Sequence, residues 1–309
     1  MNLDAEERKG YLIPSSMKKV WAVQLELLKV LLNVCEKHQL KIWADGGTLL
    51  GTVREHGYIP WDDDIDMAML RKDYDKLLAV AQEEFKSPYY FQSGYTEKNY
   101  PRGHAQLRKD NTAAINKYDV FEKFHQGIFI DIFVYDEIPD DKEKLASFLE
   151  QIDRESCLLK KYCDFRFSFL HPFVSIKSYL TILPLTKIGF HQAFMNYDKL
   201  LKGKAGGSVA CVGFSLDINH FCRSKDLYQG TIMMPFEDVM MPVPFGYDVI
   251  LRTQYGDYMK PAKAPSYHGG FLVLDTDRSY LHYLPGLRKK EIRNRRLLFY
   301  NKLKSLISK

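Results

Sequence analysis

The sequence predicts an α/β (α+β) fold, a mixed sheet core flanked by helices in residues 1–139, followed by a helical half in residues 140–309. Three observations lead there. Apolar residues recur at helical spacing near the N-terminus, and short β-type runs punctuated by Gly and Pro follow as far as Ile138. After Asp140 the chain turns to long charged or apolar stretches with helical character. At 309 residues and 46% hydrophobic, the chain is long enough to bury a substantial core.

The elements follow in order. Ser15-Ser16 caps a helix to about Leu40, with Val20, Val23, Leu27, Leu31 and Val34 on one face. Lys41 to Asp45 is a short strand broken by Gly46-Gly47, and Thr48 to His56 a brief helix closed by Gly57. Ile65 to Leu70 is a second strand, and Lys72 to Phe85 a helix with Tyr74, Leu77, Leu78 and Ala81 inward. Further strands are expected at Tyr89–Gln92, Ala105–Arg108, Thr112–Ile115 and Ile128–Val134. Beyond residue 139 come a charged helix to about Arg166 and the apolar but interrupted run FSFLHPFVSIKSYLTILPLTKIGF. Glycines 203, 206 and 207 mark a loop, and the turn-rich return segment FEDVMMPVPFGYDVILRTQYGDYMKP leads to a basic tail.

Charge is uneven. Residues 288–309 hold nine Lys/Arg against Glu291 alone, so this tail carries +8 of a net +5 and the rest sums to −3. No nucleic-acid-binding motif accompanies the tail, so nucleic acid is not an expected partner. The five cysteines form no CxxC pair or zinc spacing, which suits reduced thiols. No signal-peptide pattern and no apolar run of about 18 residues appears. The expectation is a cytoplasmic protein in peripheral contact with the inner face of a membrane through 167–190 and 288–309, since each Lys/Arg near an anionic leaflet adds about 1 kcal/mol.

The chemistry is concentrated in ADGGTLLGTVREHGYIPWDDDIDMAML. Gly46-Gly47-Thr48 stands at a strand-to-helix junction, where amides without an intervening Cβ approach phosphate oxygens and the helix terminus favours negative charge. Asp64 and Asp66 flank Ile65 on a strand, so both carboxylates project to one face, the donor pair that Mg²⁺ or Mn²⁺ takes. The glycines precede Asp64 by 17 or 18 positions, room for one helix and one turn. A phosphate cradle and a metal pair then meet at the ends of adjacent strands, which is the pattern of the nucleotidyltransferase fold. A solvated acidic turn, a nucleotidyltransferase attacking an α-phosphate, a DxD glycosyltransferase and a membrane-bound glycan-binding protein are the competing readings of these residues.

The stretch GGTLLGTVREHGYIPWDDDIDMAM resembles the signature of the LicD family of phosphocholine transferases, related to fukutin and fukutin-related protein. The resemblance runs through FIDIFVYDEIP to PVPFGYDVILRTQYGDYMKP and covers most of residues 20 to 268. It implies metal-dependent transfer of a phosphoalcohol, foremost phosphocholine, from CDP-choline or another CDP-alcohol. The acceptor it implies is a hydroxyl of a lipid-linked bacterial surface glycan such as teichoic acid or lipopolysaccharide, with release of CMP.

A third acid is expected at Asp131, in the apolar run GIFIDIFVYD, where a buried charge needs a metal or a partner such as Arg108. Asp131 also matches the family's acidic strand residue. Asp136 and Glu137 look like loop carboxylates. Arg54, six residues after Thr48, and Arg108 are candidate phosphate contacts, each with an ion-pair role as the alternative. His268 falls where the family has a recurring C-terminal polar site. Quaternary ammonium groups are held by aromatic faces, and Trp43, Trp61, Tyr58, Tyr135 and Tyr255 lie in or near the signature segments, although the sequence assigns no cage.

Overall fold

The computed structural model describes residues 1–168, 172–202, 205–260 and 270–307. A hairpin of β1 (Glu6–Arg8) and β2 (Tyr11–Ile13) precedes helix α1 (Ser15–Lys37). Pro14, not Ser15 or Ser16, occupies the N-cap, and no side chain caps the first turn. The predicted stripe is buried at Val20, Leu27, Leu31 and Val34, and Trp21, Leu25 and Leu28 widen it. The next elements are β3 (Trp43–Ala44), α2 (Gly46–Glu55), β4 (Asp66–Leu70) and α3 (Arg71–Glu84). His56, with φ of 54°, takes the left-handed turn that closes α2, so Gly57 is not the terminator. Strands β5 (Tyr89–Gln92), β6 (Ala105–Lys109), β7 (Ala113–Asn116) and β8 (Phe129–Ile138) complete the first half.

β8 is the hub of the main sheet. It runs parallel to β4 on one side, with Asp66 opposite Asp131 and Leu70 opposite Tyr135. On the other side its first half pairs antiparallel with β6. Its last residues pair with β9 (Ser208–Ala210), a strand from the second half of the chain. β3 lies outside β4, and β5 outside β6. Asp136 and Glu137 therefore sit at the end of a strand and not in a loop.

The second half begins with α4 (Lys142–Asp164), N-capped by Asp141, and α5 (Pro172–Leu201), broken at Gly189 with φ of 79°. α6 (Ile218–Phe221), β10 (Cys222–Ser224) and a 3-10 turn (Lys225–Tyr228) follow β9. The return segment folds as a hairpin, β11 (Thr231–Phe236) and β12 (Val239–Pro244), then α7 (Tyr247–Tyr255). Phe236, Met241 and Val243 of this hairpin share one apolar core with Trp21, Trp43, Met67 and Ile132. β13 (Phe271–Asp275) pairs with β7, and α8 (Tyr280–Ile307) carries the basic tail.

An ionic knot fastens the halves. Arg71 on α3 donates to both oxygens of Asp136 on β8 (2.6 and 2.8 Å) and to Asp198 on α5 (3.0 Å). Burial pushes the Asp136 carboxyl up to about 6 even with Arg71 opposing it. Among the described residues no helix is long and apolar enough to cross a membrane.

Candidate active site

The acidic turn is held from behind by α1. Trp21 Nε1 donates to the Asp62 carbonyl (3.0 Å) and Gln24 Nε2 to the Asp63 carbonyl (2.7 Å). Trp21 is itself stacked on Tyr58, ring centroids 4.3 Å apart. This places carboxylate oxygens of Asp62, Asp63 and Asp64 all within 4.8 Å of one another. Ile65 is fully buried, and Asp66 opens β4 directly opposite Asp131. Burial, then Asp66, pushes the Asp64 carboxyl far above its ordinary range, and burial, then Asp131, does the same to Asp66. Carboxylates crowded this way repel, and the repulsion is relieved by protons or by a cation.

Helix α2 points its N-terminus into this cluster. Gly46 has φ of +51°, a conformation that favours glycine, and a Cβ there would stand 3.2 Å from Asp66 Oδ2. A Cβ on Gly47 would stand 2.7 Å from Asp62 Oδ2. The Asp45 side chain, at the N-cap, makes no capping hydrogen bond. It turns instead to Arg223 (2.7 Å) and accepts from the Tyr135 hydroxyl (2.8 Å). The first-turn amides are thus left without a side-chain cap, the arrangement in which a helix terminus receives an anion.

The structure sorts the remaining sequence candidates. Thr48 is buried, and its hydroxyl accepts the Asp66 amide (2.9 Å), so it staples α2 to β4. Arg54 lies about 9 Å along the helix axis beyond Thr48, away from the N-terminus. It pairs with Glu55 (2.7 Å) and donates to the Tyr258 carbonyl (3.0 Å), which corrects the expectation of a phosphate contact. Arg108 is 2% exposed and donates to Gln92, the Gly127 carbonyl and Gln106. Burial pulls its guanidinium down to about 10. It neither pairs with Asp131 nor offers an unengaged fork; it buttresses Gln106. His268 lies outside the described residues.

Asp131 finds different partners. Gln106 Nε2 donates to its Oδ1 (2.7 Å), and His104 Nε2 lies 3.1 Å from the same oxygen. Burial raises the Asp131 carboxyl, but the His104 and Gln106 hydrogen bonds outweigh it and hold the group below its ordinary range. His104 packs between Phe133 and Phe214, with centroids 5.0 and 5.5 Å away. The sequence reading passed over His104 and Gln106, although His104, Gln106 and Arg108 alternate with apolar Ala105 and Leu107, the mark of one polar face on a strand.

Two cavities meet at the acids. One, about 660 Å³, is lined by Asp63, Asp64, Asp66, Asp131, His104 and Gln106 and extends past Arg102, Lys117, Tyr118 and Lys160. The other, about 730 Å³, is lined by Asp45, Gly46, Gly47, Asp66, Phe133, Tyr135, Cys211, Phe214, Asp217, Phe221, Gln254 and Tyr255. Asp66, Phe133 and Phe214 belong to both walls.

The comparisons with known proteins bear on the same stretch of chain. A family model described as LicD/FKTN/FKRP, nucleotidyltransferase domain, matches residues 39–196. The chain belongs to this family. Gly46, Gly47, Asp64, Asp66, His104, Gln106 and Asp131 all fall inside the matched span, whereas Phe214, Asp217, Phe221 and Tyr255 lie beyond it. The chain is similar to the lipopolysaccharide cholinephosphotransferase LicD of Haemophilus influenzae, 24% identical over 79% of this chain and 92% of that protein. It is also similar to an uncharacterized protein of Rickettsia prowazekii, 30% identical over 45% of this chain and 48% of that one.

Proposed function

We propose that this transferase-family chain moves phosphocholine from CDP-choline to a hydroxyl of a lipid-linked surface glycan and releases CMP. The observation that carries the reading is the uncapped N-terminus of α2 set against the buried acids Asp64 and Asp66, with Asp131 opposite Asp66. The choice of phosphocholine, and of transfer that discards the nucleotide, is supported by the similarity to the Haemophilus influenzae cholinephosphotransferase. Lipopolysaccharide is the acceptor class of that relative, and teichoic acid is chemically equivalent as a hydroxyl-bearing polymer.

The site suits Mg²⁺ or Mn²⁺. Its donors are carboxylate oxygens throughout, the hard ligands those ions take, and burial with mutual repulsion pushes Asp64 and Asp66 far above their ordinary range, a crowding that a cation relieves. Asp64, Asp66 and Asp131 would hold the ion, which would supply positive charge to the donor pyrophosphate and the departing CMP. The chain's own residues do the rest. Gly46 and Gly47 amides receive phosphate oxygens at the helix terminus. Gln106 and His104 fix Asp131 in its ionised form, ready to take the acceptor hydroxyl's proton or to bind the ion. Thr48 holds the Asp66 backbone in register with the cradle. Rate gain then comes from positioning and fixed charge. A lipid-linked acceptor suits peripheral binding on the cytoplasmic face, with α8 supplying basic charge.

The test incubates the full chain and Mg²⁺ with CDP-choline, other CDP-alcohols and CTP, with and without glycan acceptor. CMP release with CDP-choline, labelled choline appearing in the glycan, is the expected result. Pyrophosphate release from CTP, with CDP-choline left intact, would overturn the reading.

A further inference from the structure

Helix α5 presents an apolar face outward. Its inner side is settled: Ser175 and Ile182 are buried, and Leu185 packs on the cluster that holds Leu159 and Cys163 of α4. On the outer side, at spacings of three and four, stand Phe173, Ile176, Leu180, Pro184 and Ile188, which is one face of a helix. Phe173 is 85% exposed, Leu180 59%, Ile176 48% and Ile188 45%, and Val174 and Tyr179 are exposed as well. Single exposed apolar residues are ordinary, but a contiguous row of them marks an interaction surface. The row runs for about 25 Å, from Pro172 to the break at Gly189.

The charges around this face have one sign. From residue 165 to 197 the sequence holds Arg166, Lys177 and Lys187 and no Asp or Glu. Lys177 follows Phe173 by four residues and Lys187 follows Pro184 by three, so both exposed lysines stand on the apolar face. At the corner before α5, Phe165 packs on Tyr179, and Arg166 lines a cavity of about 650 Å³ with Arg295, Arg296 and Phe299 of α8. The basic helix therefore adjoins the start of this face. A second copy of the chain seated here would bring lysines into the apolar centre of an interface, where Lys is depleted, and would set like charges together. An anionic lipid surface accepts both features, because acyl chains take the apolar side chains and phosphate headgroups the lysines, whose stems lie along apolar surface. We propose that residues 172–188 lie in the interfacial plane of an anionic membrane, with Phe173, Ile176, Leu180 and Ile188 in the acyl boundary and Lys177 and Lys187 at the headgroups. The helix lies on the membrane and does not cross it, in keeping with its length and hydropathy. This goes beyond the transfer reaction and stands whether or not the donor is CDP-choline.

The experiment measures co-sedimentation of the full chain with vesicles of mixed phosphatidylglycerol and phosphatidylcholine, and with vesicles of phosphatidylcholine alone. The parent should bind the mixed vesicles and bind the neutral ones more weakly. Phe173→Ser and Leu180→Ser should each weaken binding to the mixed vesicles about tenfold or more, the loss of one buried apolar side chain. Both side chains are exposed, so neither change disturbs a core. Lys177→Gln combined with Lys187→Gln should weaken binding to the mixed vesicles roughly 30-fold, at about fivefold per lysine, with little effect on the neutral ones. Leu12→Ser, at an exposed apolar position on β2, should bind as the parent does. Binding that survives both serine variants would assign the contact to α8 alone and overturn the proposal, as would no binding by the parent. Size-exclusion chromatography with light scattering reads the other occupant. A parent dimer that Leu180→Ser converts to monomer would place a second copy on this face and overturn the proposal.

Discussion

Replacing Asp66 with Asn should make the metal-free protein more stable and, in the same stroke, inactive. Asp66 and Asp131 stand opposite each other on adjacent parallel strands, and neighbouring strands lie about 4.8 Å apart. Two unit charges at about 5 Å in an effective dielectric of about 20 repel by roughly 3 kcal/mol. Protonation already relieves part of this, since the Asp66 carboxyl is pushed far up by burial and by Asp131. About half, roughly 1–2 kcal/mol, is therefore available to the neutral amide of the same shape. At about 2 °C per kcal/mol for a chain of this size, Tm in EDTA should rise by about 2–4 °C. Mg²⁺ at a hundred times its Kd should stabilise the parent by about 2.7 kcal/mol, close to 5 °C, and the variant by much less. Differential scanning calorimetry at pH 7.5, in EDTA and in Mg²⁺, reads both. A variant that melts at or below the parent in EDTA, or that gains as much from Mg²⁺, would refute the reasoning.

Three further outcomes are expected. Gln106→Leu removes one of the two hydrogen bonds that hold Asp131 and leaves Arg108 facing an apolar group; kcat should fall about 10²-fold with KM for the donor little changed, by single-turnover kinetics. His125 is half-buried, and loss of solvent there, with Arg108 nearby, holds its imidazole down at about 4 against an ordinary 6.5. Its folded pKa being depressed, the stability it contributes is present above pH 6.5 and is lost as pH falls toward 4, by about 3 kcal/mol; His125→Gln should flatten that limb in urea melts. A Cβ at Gly103 would stand 2.2 Å from the Gly213 carbonyl, so Gly103→Ala should force apart the segments that carry His104 and Phe214. A loss of stability of about 2 kcal/mol or more, with weaker turnover, is the expected result in denaturant titration and rate assays.

Much of the scaffold was readable because it obeys local rules. The glycines end β3 as expected, although α2 begins at Gly46 and not at Thr48, and Ile65 is buried as expected, although β4 begins only at Asp66. What stayed hidden depends on pairing across distance. The Asp66–Asp131 register spans 65 residues of chain and no spacing rule gives it. Arg54 takes the ion-pair role that was its alternative, since six residues at about 1.5 Å each carry it to the far end of α2 from the glycines. Arg108 was the expected partner of Asp131, whereas a strand neighbour and a loop histidine, Gln106 and His104, lie at its carboxylate. The aromatic cavity is assembled from residues 133, 214, 221 and 255, which only the folded chain gathers.

The partition formed by Asp66, Phe133 and Phe214 has a consequence for how such a protein can change over generations. Each cavity has most of its own wall, and among the described lining residues only these three side chains are shared. Substitutions at Lys117, Tyr118 or Lys160 alter one chamber while leaving Asp217 and Tyr255 in the other untouched. The two chambers can therefore be reshaped almost independently, joined at a single carboxylate and two rings.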